Sequence, residues 1–271
     1  MPDQFYDKPM LSKPMIGVGL AVVVAAGGGW WYWHSHAPLP TVPASVEPSV
    51  PAATPEDRIE HPVPVGPDVA SQGPLPDLGD SDKAISDALG EAAGAGVAQY
   101  LVPESIIRHI VVTVDNMPRQ KLAVDKRPVV PAAGTIVANG DELHATLDSR
   151  NFRRYEPMVD IIRKADMQRL AAVYLRFYPL FQKAYQGLGY PNGYFNDRLV
   201  QVIDVLLATP QITGPIELAR PNVMYVFADP ALESRPAGQK MLIRMGPDNA
   251  AEVKAKLMEL RASITAAPPR R

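Results

Sequence analysis

The 271-residue chain contains no cysteine. Disulfides, cysteine metal sites and thiol catalysis are excluded together, as is a lipid-modified N-terminal cysteine. Basic residues are missing from one long stretch: after Lys8 and Lys13 there is no Lys or Arg until Arg58. Large single-sign charge is also lacking, with a formal net charge of −2 over the whole chain. That figure hides a split, because residues 1–79 hold 3 Lys/Arg against 8 Asp/Glu and residues 80–271 hold 24 against 21. A C-terminal body so close to neutrality lacks the basic footprint of nucleic-acid binding, and that class is excluded. The signatures GxSxG, HExxH, the P-loop and GxGxxG are all absent. No serine of the C-terminal part has a lysine three residues on, and only His109 and His144 fall there. They sit on separate expected elements, so no clustered metal ligands are legible, and neither metal nor cofactor is expected.

One long uncharged run stands out against these absences. From Met15 to Trp33 no Asp, Glu, Lys, Arg or His occurs. At about 1.5 Å per residue a helix of that length just crosses a hydrocarbon core of roughly 30 Å. Only a helix satisfies its own backbone in lipid as a single span. All three tryptophans, Trp30, Trp31 and Trp33, gather at its far end with Tyr32, where amphipathic rings suit the interface. Lys8 and Lys13 precede the run, so the positive-inside rule expects a cytoplasmic N-terminus and the bulk of the chain outside. Val24-Ala25-Ala26 offers the competing reading of a cleaved signal peptide. The aromatic block directly after it favours the uncleaved anchor, because it lengthens the apolar run past a signal core.

From Ala37 to Leu78 prolines recur every few residues, Phe, Tyr and Trp are absent and no apolar period is visible. Such a stretch buries too little to offset chain entropy and favours extended polyproline II. At about 3.1 Å per residue it would reach on the order of 130 Å when fully extended. The expected layout is a cytoplasmic tail over 1–14, a transmembrane helix over 15–33, a proline-rich disordered linker over 34–79, a periplasmic globular domain over 80–265 and a disordered tail over 266–271. The linker then reads as a spacer.

The domain reads as α+β and mostly helical, with a β-hairpin or small antiparallel sheet. Ser81-Asp82 suits the cap of a first helix, and Pro103 the first residue of a second, whose stripe is Ile106, Ile107, Ile110, Val111, Val114 and Met117. Asn139-Gly140 between two apolar runs signals a hairpin. Arg119, Lys121, Lys126 and Arg127 read as a solvated basic loop. Asn151 suits the cap of a short helix, and Asp166 that of a long one in which Leu170, Tyr174, Phe177, Phe181, Tyr185 and Leu188 step three or four at a time. Pro179 lies inside that pattern, where a kink is expected. Residues 190–194 form a turn, and Asn196 or Asp197 opens the next helix. Two short strands follow over 212–218 and 222–228, the first demoted to an edge by Pro215. Lys240 and Arg244 lie on a helix over 237–246 and read as a solvated face. A last helix from Pro247 sets Ala250, Val253, Leu257, Leu260 and Ile264 on one seam.

Eight of the sixteen Phe and Tyr residues lie between Tyr174 and Phe195. Concentrated aromatics mark the middle of a core, while tyrosine hydroxyls at its edge seek polar partners and suit a groove. The candidate ligand or partner groove is therefore Tyr174, Tyr178, Tyr185, Tyr190, Tyr194, Asn196, Asp197 and Arg198. A carboxylate pair drawn from Glu104, Glu142, Glu156 and Glu217 is the weaker alternative, since solvated acids are the commoner case.

The segments 101–119 (LVPESIIRHIVVTVDNMPR), 151–162, 176–210 and 237–257 together resemble the proteobacterial membrane-anchored family called domain of unknown function 3014. The resemblance covers about residues 80–265. It implies a single-pass protein of the bacterial inner membrane, bound to the bilayer through residues 15–33, with a periplasmic domain; it brings no catalytic residues. The leading expectation is a binding or scaffolding module of the cell envelope with an unidentified envelope protein as partner. The alternative is an envelope hydrolase acting on glycan or peptide through carboxylates. A sensor has little support, because a tail of fourteen residues is too short for an output domain.

Overall fold

The computed structural model describes residues 59–64, 73–141, 144–221 and 223–266. The expected span over 15–33 lies outside them, as does most of the linker. No helix among the described residues is long and apolar enough to cross a membrane.

The described body is mostly helical with one small antiparallel sheet. Helix α1 (Asp82–Ala93) leads through a 3-10 turn to α2 (Ile106–Asn116). Two short strands follow, β1 (Ala138–Asn139) and β2 (Ala145–Leu147), then α3 (Arg150–Arg153), α4 (Glu156–Lys164), the long α5 (Met167–Gln186) and α6 (Phe195–Leu207). The chain returns to the sheet with β3 (Glu217–Ala219) and β4 (Val226–Phe227), and ends on α7 (Pro230–Glu233), α8 (Ala237–Arg244) and α9 (Pro247–Thr265).

Helix starts follow local chemistry where a carboxylate meets free amides. Asp166 accepts from the N–H groups of Gln168 and Arg169 and opens α5, as its position suggests. Asp229 does the same for α7 through Ala231. Other starts are set by distant residues. Asp82 caps not its own helix but α2, accepting from the amides of Ser105 (2.7 Å) and Ile106 (2.8 Å). That bond holds Ser105 at φ 53° and moves the start of α2 to Ile106, past Pro103. Asn151 does not open a helix either. It is buried inside α3, and its amide bonds both the N–H and the carbonyl of Val137. Pro179 is carried within α5, which runs unbroken for 20 residues.

The sheet order is β1-β2-β3-β4, all antiparallel. The hairpin loop between β1 and β2 spans residues 140–144, longer than an Asn-Gly two-residue turn. Strand β3 is central, with Leu218 opposite both Ala145 and Phe227. Pro215 corrects no ladder and demotes nothing, because it falls before the paired residues. Helix α5 is the axis of the main core: Phe177, Phe181 and Tyr185 pack with Phe195 and Ile203 of α6, Ile107 and Val111 of α2, Ile85 of α1 and Ile264 of α9. A second cluster (Ala145, Ile216, Leu218, Phe227, Ile243) seats the sheet on α8. The seam expected on α9 is docked on the body through Leu257, Leu260 and Ile264. Within the described linker residues, Leu78 joins this main core, and Val63 and Leu75 pack against it.

Lys240 is not on a solvated face. It is buried, and its ammonium bonds the Glu233 carboxylate at 2.6 Å and the Glu233 carbonyl at 3.0 Å. Burial alone would raise the Glu233 pKa, but the Lys240 bond and the Phe227 amide turn the shift downward. The guanidinium of Arg244 covers the Phe227 ring, 4.8 Å from its centroid.

Candidate functional site

The turn between α5 and α6 is built from one close approach. A Cβ on Gly193 would stand 2.8 Å from the Tyr185 ring and 2.9 Å from the Tyr190 Cβ, so only glycine fits. The gap lets Tyr185 and Tyr190 stack at 4.8 Å between centroids. Gln182 locks the same turn from α5. Its amide donates to the Gly193 carbonyl (2.7 Å), and its oxygen accepts from the Phe195 N–H (2.8 Å) and the Tyr178 hydroxyl (3.0 Å).

The turn and the first residues of α6 wall an open cleft of about 640 Å³ facing the end of α2. Five of the eight candidate groove residues line it: Tyr185, Tyr190, Tyr194, Asp197 and Arg198. The other three, Tyr174, Tyr178 and Asn196, are buried behind it. The Tyr174 hydroxyl donates to the Asn196 side-chain oxygen at 2.9 Å. Burial pushes the Tyr174 and Tyr178 phenols well above their ordinary pKa, so both remain protonated donors.

Asp115 forms the floor of the cleft. It is 4% exposed on the apolar side of α2. Its carboxylate takes Arg119 Nη2 at 2.6 Å and Arg198 Nη2 at 3.1 Å, and the Tyr190 hydroxyl reaches it at 3.4 Å. Arg198 also donates to the Asp115 carbonyl (2.7 Å), tying α6 to α2. Arg119 thus has a defined partner and differs from the solvated loop cation of the sequence reading.

The outer wall is the linker. Glu60 and His61 donate their N–H groups to the Asp197 carboxylate at 3.1 and 2.6 Å. Val63 donates to the Tyr194 hydroxyl at 3.0 Å, and the Asn196 amide donates to the His61 carbonyl at 2.8 Å.

Asp115, Gln182 and residues 60–63 are the members that sequence reasoning missed. Asp115 left a signal, an acid four residues after Val111 on an apolar stripe. Gln182 left a weaker one, four residues after Tyr178. Residues 60–63 left none, since their bonds are made by backbone.

The acids considered for hydrolysis are not gathered here. Glu104, Glu156 and Glu217 are exposed on or beside α2, α4 and β3, and Glu142 lies outside the described residues. Among the described residues no three His, Asp or Glu side chains are grouped to hold a metal ion. A second, mainly apolar cleft of about 360 Å³ lies between Pro215, Ile216, Leu242 and Ala250. Its one cation, Lys254, is bonded to the Thr209 carbonyl at 2.7 Å.

Fold and site together define a helical α+β module with a tyrosine-walled polar cleft whose buried Asp115 is paired with Arg119 and Arg198. The chain belongs to the family described as Protein of unknown function (DUF3014), whose model matches residues 106–261. That match contains α2 through most of α9 and every candidate groove residue. Comparison with curated proteins and with solved structures gives no match.

Proposed function

We propose that the chain is a single-pass protein of the bacterial inner membrane, N-terminus cytoplasmic, with residues 15–33 in the bilayer. The linker over 34–79 then carries a periplasmic domain over 80–265, which serves as a binding or scaffolding module of the cell envelope. The support for the topology is the uncharged run, its tryptophan end and the placement of Lys8 and Lys13. The observation that carries the binding reading is the cleft itself. Half-buried Tyr190 and Tyr194 offer amphipathic edges, Tyr190 backed by the buried Tyr185 ring, beside a fixed ion-pair floor, a composition favoured where proteins meet.

The hydrolase reading stands second. Asp115 and Asp197 do line one cleft, as a carboxylate mechanism asks. Each, however, is already occupied: Asp115 by two arginines and Asp197 by two backbone amides. The test is in-cell photocrosslinking of the full-length protein from position 192, an exposed asparagine on the cleft rim. A recurrent envelope protein, captured by wild type and lost in Tyr190→Ala and Tyr194→Ala chains that still fold, supports the module. Undiminished capture by both variants refutes the cleft as the contact.

A further inference from the structure

The chain's own linker shows how the site beside the cleft reads a polypeptide. Across residues 60–64 the sequence is Glu-His-Pro-Val-Pro. Prolines have no N–H, so the segment has three amide donors, on Glu60, His61 and Val63. All three are used, two by Asp197 and one by Tyr194. The carbonyl of His61 is taken by Asn196. Three neighbouring residues at the start of α6 therefore bond four backbone groups in register, and the two prolines flank Val63, whose N–H is bonded. The Val63 side chain supplies the apolar contact; Pro62 and Glu60 are exposed. The receptor side is preorganised, because Asn196 is fully buried and held by the Tyr174 hydroxyl and the Ile264 carbonyl.

We propose that this track is a peptide-binding site, closed in cis by residues 59–64, whose trans occupant is an extended partner segment with prolines two residues apart. Backbone bonds supply affinity, and the missing proline donors supply register and conformation, since polyproline II costs little ordering entropy. The identity of the occupant as a partner segment rests on the binding-module reading above; the track geometry does not. Because the linker is tethered, its local concentration is high and it competes with any incoming peptide. A track docked in cis about 90% of the time would weaken trans binding about tenfold.

The test uses the full chain in detergent and the peptide RIEHPVPV, residues 58–65. A chain lacking residues 59–64 should bind the labelled peptide about tenfold more tightly than wild type. N-methylation at the Val63 position of the peptide should abolish binding, because it removes the donor to Tyr194. In parallel, Glu60→Cys places a unique thiol at an exposed position of the strap and keeps both prolines and the backbone donor, the chain having no other cysteine. A fluorophore there should report strap release as the peptide is added. Absence of binding to a deleted chain that melts like wild type overturns the proposal. If the deleted chain fails to fold, absence of strap release at saturating peptide overturns it instead. A wild-type dimer that the free peptide dissociates would overturn the assignment to a heterologous partner. A chain that binds the peptide but captures no envelope protein from position 192 refutes the module reading and leaves the track standing.

Discussion

Gly246 joins α8 to α9 at φ 88°, ψ 162°, a region open essentially to glycine alone. Its α-carbon faces the ring of Phe152: a Cβ built there would stand 2.5 Å from Cγ and 2.7 and 2.8 Å from the two Cδ atoms. The ring has little freedom to withdraw, since Cγ is the root of the ring and the Phe152 carbonyl is held by the Asn249 amide at 2.9 Å. That amide also bonds Met245, on the other side of the glycine. Gly246→Ala therefore adds a backbone cost of about 1–3 kcal/mol to an overpacking cost of about 1–3 kcal/mol. A combined loss of about 2–6 kcal/mol corresponds to a fall in Tm of roughly 5–20 °C for a domain of this size. The control is Gly189→Ala, at φ +104° with no atom within 4 Å of the added carbon, where only the backbone term operates. Denaturant titration and thermal melting of both full-length variants give the difference, in which the ring contact is the main contribution. Equal midpoints for the two variants, with unchanged m, would refute the packing argument.

Asp115→Asn should destabilise by about 2–4 kcal/mol, somewhat below the usual range for a broken buried pair, because Arg119 is half-exposed while Arg198 is not. Adding Arg198→Met should recover part of that loss in a double-mutant cycle; simple additivity would show that the pair is not coupled. Phe177→Ala, at 1% exposure in the middle of α5, should cost about 3–5 kcal/mol by chemical denaturation, and a loss below about 1 kcal/mol would displace α5 from the core. The side chain and the amide of Arg150 both bond the Asp148 carboxylate and hold its pKa down to about 2. A depressed carboxylate stabilises the fold above its unfolded value near 3.8 and loses that contribution as pH falls toward about 2. Stability curves of wild type and Asp148→Asn should therefore converge between pH 4 and 2, and a constant offset across that window would contradict the assignment.

What the sequence disclosed follows the range of the interactions involved. Asp166 was readable as a cap because its partners lie two and three residues away. The stripe of α5 and the seam of α9 were readable because burial repeats with the helix period. Ser81-Asp82 does open α1, with Ser81 in the N-cap position, but the Asp82 side chain, Pro103 and Asn151 misled for the opposite reason. Asp82 found its amides 23 and 24 residues on, and Asn151 found Val137 fourteen residues back. Asp82 and Asn151 are good local caps by composition, and for both of them tertiary partners outcompeted the local ones.

The candidate site divides along the same line. Half-buried Tyr190, Tyr194, Asp197 and Arg198 were visible as polar groups beside an aromatic cluster, and the fold does bring them together with Tyr185 on one cleft. The strap was invisible, and necessarily so. Residues 60–63 look like spacer because their side chains carry neither apolar period nor charge pattern, yet their docking depends on three amides and one carbonyl. Every non-proline residue owns those groups, so composition says nothing about where they are used. What composition did record is the complement: prolines at 62 and 64 are the two positions that bring no N–H to the track. A proline spacing that reads as mere stiffness in isolation is thus also compatible with docking through the remaining backbone groups.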